Sequence, residues 1–487
     1  MIDAPNGTSG FRAVWVGVGL LLLLACPSPI VPSETPPNLV VVVIDTLRAD
    51  HVGAYGYGRD TSPSLDALAS RGMRFARASA PSSWTKPSVA SLFTSRPPSE
   101  HGAVDFLSAI SADVETVTER LAGAGYRCLG VSSNFVHVNQ QSGLSRGFHA
   151  WSTLKGNASE DSADFVIERS HAGPLWLRAV GAEEVNHELL GLLDAEPSRP
   201  VFLYLHYMEP HGGYSPPPDL RSRFVRDPEF ARGAPPATAT FLNDLAAGRV
   251  SVDEAGRRLL VDLYDAEIAA ADRGLGALLE ALQARGFDEN TVYLVTSDHG
   301  EEFLDHGGWF HGLTLYEEAL RVPLVIYDTR QRLGAAVVEH GVGLLDVATT
   351  LLAAAGLEPS PGMRGIDLLN GESREKSRDR FAELFPTRAE SVIRPRTHVW
   401  AYGSWPWKVV SAPGGTVEVF RLDRDPGERH GVRPSAPGVP SGLVWRARTR
   451  ARAARLARTA RQRGGHAIDV ELNSEKREEL KALGYIE

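Results

Sequence analysis

The chain has 487 residues and is 43% hydrophobic, enough for a large core or for one large domain with a smaller one attached. Lys+Arg 51 against Asp+Glu 60 leaves a formal charge of −9, and this mild acidity argues against a nucleic-acid binder. Cys26 and Cys128 are the only cysteines, so a disulfide framework is not the source of stability.

Residues 1–26 read as an export signal. Arg12 precedes an apolar run from Ala13 to Ala25 that is short for a bilayer span and fits a signal-peptide core. The run ends Leu23-Leu24-Ala25-Cys26, which resembles a bacterial lipoprotein box with Cys26 as the acylated residue. An ordinary signal peptide cut nearby is the other reading. The expected location is a bacterial cell envelope, in the periplasm or at the outer surface, with a lipid anchor at Cys26 as the membrane contact. Residues 27–37 are proline-rich, a composition that is extended and semi-rigid and suits a tether.

From Asn38 onward strands and helices alternate. Val40 to Ile44 form an unbroken apolar run that stops at Asp45. Such a run reads as a parallel strand buried on both faces, with Asp45 at the carboxyl end where ligands sit in open α/β sheets. A short helix is expected from Ser62 to Gly72, with Pro63 in its first turn. Helical spacing from Val114 to Ala124 precedes a strand over Tyr126–Ser132. A helix over Glu183–Leu193 precedes the strand Val201–His206. The stretch Leu259–Ala284 reads as a long amphipathic helix, and the strand Val292–Val295 follows it and leads to Ser297-Asp298-His299. Another strand is expected over Val322–Tyr327. The alternation predicts an α/β chain with a large, mainly parallel sheet covered by helices on both faces.

The texture changes near Glu372. Val399–Val410 and Val417–Leu422 read as antiparallel strands joined by a turn at Gly414-Gly415. Eight arginines follow between Arg446 and Arg463; they read as a solvated helix face, with contact to an anionic surface as the other reading.

One more stretch carries chemistry, Trp84-Thr85-Lys86-Pro87-Ser88-Val89. Pro87 suits the first turn of a helix, which would set the Thr85 hydroxyl near a helix N-terminus, where N–H groups and the dipole attract anions. Alone, Thr85 reads as a helix cap. Together, the motifs Asp45-Thr46-Leu47-Arg48-Ala49-Asp50-His51, Ser62-Pro63-Ser64-Leu65-Asp66, Ser297-Asp298-His299-Gly300-Glu301-Glu302 and Tyr316-Glu317-Glu318-Ala319-Leu320-Arg321-Val322-Pro323 resemble the sulfatase family of the alkaline phosphatase superfamily. Later matches are Leu345-Asp346-Val347-Ala348, Phe420-Arg421-Leu422-Asp423-Arg424-Asp425-Pro426-Gly427 and Leu480-Lys481-Ala482-Leu483-Gly484-Tyr485.

The resemblance implies an alkaline phosphatase-like fold. Its sulfatase-like catalytic domain would span 38–371, with a smaller α+β C-terminal subdomain of antiparallel strands over 372–487. It implies a metal-dependent hydrolase of sulfate or phosphate esters with Thr85, His211 and His311 catalytic. Lys86, Arg48 and His306 would contact the substrate. One divalent ion would sit at Asp45, Asp298, His299 and Thr85. Calcium is the family expectation, and the nitrogen of His299 admits Mn²⁺ or Zn²⁺. Family members usually carry Cys-x-Pro-Ser-Arg, whose first residue becomes formylglycine. Thr85 and Val89 depart from that pattern, so no formylglycine is expected and a covalent threonine ester of a phosphate monoester, diester or phosphonate is favoured. His206 and His101 read as packing residues. The implied partner is a small-molecule, glycan or lipid-head-group ester. The alternative is a degenerate protein that binds a sulfated or phosphorylated glycan without turnover. Oligomeric state is not legible.

Overall fold

The computed structural model describes residues 35–157, 168–170, 173–175, 177–178, 180–195, 200–331, 334–374, 378–386, 397–411, 415–463 and 468–469. The export signal with Cys26, most of the tether, Gly414 and the motif at Leu480–Tyr485 lie outside these residues. No helix among the described residues is long and apolar enough to cross a membrane.

A nine-stranded sheet forms the centre. Its strands are β1 (Asn38–Ile44), β2 (Met73–Ser79), β3 (Arg127–Ser132), β4 (Ala150–Thr153), β5 (Val201–Tyr207), β6 (Thr291–Thr296), β7 (Arg321–Val322), β8 (Leu324–Asp328) and β9 (Ala336–Gly343). The order is β7-β2-β8-β6-β1-β5-β3-β4, with β9 on the other edge of β2. β1 lies between β5 and β6, parallel to both. β8 is antiparallel to β6 and to β2, so β2 again points the same way as β1.

The unbroken apolar run of β1 is explained by its two faces. Leu39, Val41 and Val43 pack into one core cluster, and Val40, Val42 and Ile44 into another. In β6, Val292 and Leu294 join the first cluster while Tyr293 and Val295 join the second. Both faces are therefore apolar, as period-2 geometry demands of a sheet covered on both sides. The covering helices include α1 (Pro63–Arg71), α2 (Thr85–Thr94), α3 (Val117–Gly123), α4 (Ala182–Ala195), α5 (Glu254–Gln283) and α6 (Leu345–Ala354).

A second, four-stranded antiparallel sheet follows, β10 (Arg380–Leu384), β11 (Val399–Ser404), β12 (Trp407–Ser411) and β13 (Val417–Arg421). The single strand expected over Val399–Val410 is a hairpin, with β11 and β12 paired from Ala401↔Val410 to Ser404↔Trp407. Pro406 has no N–H to give to a ladder, and the chain turns there. The arginine-rich stretch is one helix, α7 (Leu443–Arg463). Its Leu443, Ala447 and Ala451 are buried against the second sheet.

Candidate active site

Three parallel strands end side by side and each delivers an acid or a histidine. β1 ends at Asp45, β5 carries His206 opposite Val43, and β6 is followed by Asp298 and His299. All four side chains are fully buried. The loop after β1 is fixed by long-range bonds. Thr46 N–H donates to Asp298 Oδ1 (3.2 Å), Leu47 N–H to Ser297 Oγ (2.8 Å), and the Tyr264 hydroxyl of α5 to Thr46 O (2.7 Å). Thr46 has φ 56°, a left-handed conformation costly for a β-branched residue and held by these contacts. On the β6 side, a Cβ at Gly300 would lie 2.0 Å from the Glu318 carbonyl, so only glycine lets the backbone pass.

Asp45, His206 and Asp298 offer ligand atoms that all lie within 4.8 Å of one another. Their hydrogen bonds separate two roles. Burial works against the charge of Asp45, yet the His206 hydrogen bond and the nearby His211, His206 and His299 hold its carboxyl well below the usual range. The ionised Oδ2 accepts from Asn134 Nδ2 at 2.7 Å and faces His206 Nε2 at 3.0 Å. Nε2 therefore carries the proton, and Tyr204 Oη, 2.9 Å away, donates to Nδ1. His206 and Asn134 thus orient Asp45 by its Oδ2.

Asp45 Oδ1 and Asp298 Oδ2 have no hydrogen-bond partner among the described residues. They lie 3.6 and 3.4 Å from His299 Nε2. His299 Nδ1 donates to Gly300 O at 2.9 Å, so Nε2 presents its lone pair to the same point. Burial, and then the charge of Asp45, push Asp298 well above the carboxylate range. Two buried carboxylates, each with an orphaned oxygen, and an imidazole lone pair fit a divalent cation.

Thr85 opens α2 as its first helical residue, after Trp84 at the N-cap. The cap expected of it is not made there: its Oγ1 lies 3.3 Å from His299 Nε2. Two more imidazoles complete the cluster. The His311 ring centroid is 4.5 Å from that of His299 and 4.9 Å from that of His211. His311 Nδ1 is 3.0 Å from Glu301 Oε1, and Tyr214 Oη donates to Glu301 Oε2 at 3.3 Å. His211 donates from Nδ1 to Gly212 O, and burial lowers its pKa to about 4.

Three residues expected on the substrate are engaged elsewhere. Arg48 makes five bonds, to both oxygens of Asp50, both of Asp305 and the Glu301 carbonyl. These occupy the whole guanidinium, so its role is to tie the β1 loop to the β6 loop. Both ring nitrogens of His306 are occupied, by Glu318 Oε1 (2.6 Å) and Glu428 O (3.0 Å), and the ring stacks on Tyr316 at 3.6 Å. Lys86 Nζ is buried and donates to the Phe106 and Ser108 carbonyls. Conversely, His206, read from sequence as packing, lies in the cluster. Its signal was its place at the end of an apolar strand. Asn134 and Tyr214 carried no comparable signal, and Glu301 stood in the Ser297–Glu302 motif without a role assigned to it. His101 is a core histidine, against Ser91 and the Pro87 carbonyl.

Residues 37–357 match the family model Sulfatase. An arylsulfatase of Clostridium perfringens is 26% identical over 383 residues, 68% of this chain and 77% of that protein. A solved structure in complex with its substrate D-glucosamine-2-N,6-O-disulfate superposes with a TM-score of 0.66 at 17% identity, covering 87% of this chain and 98% of that one. The phosphonate monoester hydrolase of Silicibacter pomeroyi superposes at 0.65 with 20% identity, covering 86% and 96%. With the family model spanning well over half its length, this chain belongs to the sulfatase family of the alkaline phosphatase superfamily and is a hydrolase of sulfuric or phosphoric esters.

Proposed function

We propose that the chain cleaves its ester through a covalent intermediate on Thr85, with phosphate monoesters, diesters or phosphonates favoured over sulfates. The observation that carries this is the Thr85 hydroxyl, buried at the start of α2 and 3.3 Å from His299 Nε2. A plain threonine there is a nucleophile of the kind that forms phosphoryl esters, and a phosphonate monoester hydrolase shares the fold.

Asp45, Asp298 and His299, with Thr85 beside them, would hold one divalent ion. When bound, such an ion supplies Lewis acidity that lowers the pKa of a neighbouring hydroxyl and neutralises ester oxygens. Calcium follows from the family, and His299 favours Mn²⁺ or Zn²⁺. Thr85, ionised to its alkoxide before the step, attacks phosphorus or sulfur through Oγ1, and the alcohol leaves opposite. His311, with Nδ1 held by Glu301, passes a proton from Nε2 to the departing oxygen. His211, neutral at pH 7 because burial depresses it, accepts a proton from the water that cleaves the Thr85 ester. A sulfated or phosphorylated glycan is one substrate class, given that a protein of this fold was solved with glucosamine disulfate. Export to a bacterial envelope with acylation of Cys26 is part of the same proposal, read from residues 1–26.

The test is a paired assay of aryl sulfate, phosphate monoester, phosphate diester and phosphonate ester, with Ca²⁺, Mn²⁺ and Zn²⁺ added in turn. Faster turnover of the phosphorus esters, lost on the order of 10³-fold in Thr85→Ala, is expected. Full activity of Thr85→Ala on every ester would overturn the covalent route. Bound ester without turnover would make the chain a glycan-binding relative.

A further inference from the structure

A cavity of about 560 Å³ lies where α7 crosses the β2–β9 edge of the large sheet, within the range of small-molecule sites. Five arginines line it: Arg364, Arg378, Arg380, Arg446 and Arg450. Two carboxylates belong to the same wall, Asp346 and Asp379, and both are engaged, by Arg378 and by the Tyr402 hydroxyl; Arg364 pairs at 3.1 Å with Glu100 beyond the wall. Ser79 and Gly343, the last residues of β2 and β9, belong to the wall. The cavity therefore opens on the same end of the sheet as Asp45, three to four strand spacings or about 14–19 Å away.

Two of the cations make no close ion pair among the described residues, with Glu317 and Glu383 as their more distant carboxylates. Arg380 donates to the Arg77 carbonyl, and Arg450 lies over the Phe381 ring at 5.5 Å. The Arg380 guanidinium passes close to Gly341 and Gly403, where an added Cβ would come within 3.0 and 3.3 Å of it. Burial pushes Arg380 below its usual range, Glu317 opposes this, and Arg77 and Arg321 add to it. Like charges gathered in a half-closed cavity repel one another, and an oxyanion that accepts paired N–H bonds from them offsets that cost. At the mouth stands Trp445, 69% exposed, an indole face for a ring to stack on.

We propose that this cavity is a second, non-catalytic site for a small ring compound bearing several sulfate or phosphate groups. The site does not depend on Thr85. Guanidinium forks take the oxyanions, and the Trp445 face takes the ring.

Calorimetric titration of the whole chain with a trisulfated disaccharide, and separately with inorganic tripolyphosphate, at physiological ionic strength tests this. Arg446→Ala/Arg450→Ala, both on the exposed side of α7, should weaken the disaccharide at least tenfold and leave ester turnover unchanged. Trp445→Ala should weaken the disaccharide and spare tripolyphosphate. Arg448→Ala/Arg452→Ala, on the same helix but outside the cavity wall, should bind as the parent does. The proposal falls if the first double variant binds normally, if the second loses as much, or if neither probe binds. Tripolyphosphate binding as tightly as the disaccharide, with no effect of Trp445→Ala, would overturn the ring component.

Discussion

At the scale of single residues, the active site is a set of buried polar atoms whose partners assign their roles. Asp45 is held at Oδ2 by Asn134 and His206, which leaves Oδ1 for the point that Asp298 Oδ2 and His299 Nε2 also face. Asn134→Ala removes a 2.7 Å bond to an ionised carboxylate. It should cost about 1.5–3 kcal/mol and lower turnover, read by denaturant midpoint and by kcat. A different buried acid contributes to how stability depends on pH. Burial, and then the charge of Glu209, push Glu267 from 4.5 up to about 8. The folded state thus keeps a proton that the unfolded state has lost above pH 4.5. This contribution to stability is fully present below about pH 4.5 and is lost as pH rises to about 8. Glu267→Gln keeps an acceptor for Ser215 N–H and cannot ionise. Unfolding curves across that window should show the variant gaining on the parent by a few kcal/mol by pH 8, on the order of 1.4 kcal/mol per unit.

At the scale of elements, helices from distant parts of the chain brace the loops that carry chemistry. Helix α5 supplies Tyr264, whose hydroxyl donates to Thr46 O and accepts from Arg48 N–H. Tyr264→Phe leaves both buried backbone groups unpaired around a residue at positive φ. It should destabilise by about 1–3 kcal/mol and reduce kcat more than KM, since it loosens the ligand loop and not the substrate pocket. The same helix caps α1. Ser62 makes no side-chain cap bond; Asp272 accepts from Ser64 and Leu65 N–H, both at 2.8 Å. The Ser62-Pro63 start was legible because Pro at the first turn is a local signal. The acceptor that satisfies its N–H groups was not, because it lies 207 residues along the chain from Leu65.

At the scale of the whole molecule, a cation at Asp45, Asp298 and His299 would join the ends of β1 and β6 and bind the folded chain alone. Ligand linkage then predicts a gain of about 2.7 kcal/mol when the ion is at a hundred times its dissociation constant. Thermal unfolding of the parent chain should shift upward with added divalent ion and back with chelator. Asp298→Asn should abolish the shift, and an unchanged shift in that variant would place the ion elsewhere.

The amino-acid sequence by itself determined the strands that carry Asp45, Asp298 and His299, the helix that begins at Thr85 and the antiparallel texture of the C-terminal part. These are local properties: an apolar run buried on both faces, a proline in a first helical turn, a period of two. Only the tertiary structure decided which charged groups were left for chemistry. Arg48 and Lys86 sit in the motifs and His306 four residues beyond one, yet Asp305, the Phe106 carbonyl and the Glu428 carbonyl take them up. His206 and Asn134 reach Asp45 across 161 and 89 residues because β5 lies beside β1 and β3 beside β5. The arginines of α7 divide in the same way. Their spacing along one helix makes a basic surface, and the docking of that helix on the second sheet turns Arg446 and Arg450 toward a cavity that already holds Arg380. Strand order and helix docking fix such pairings, and neither is written in any single stretch of the chain.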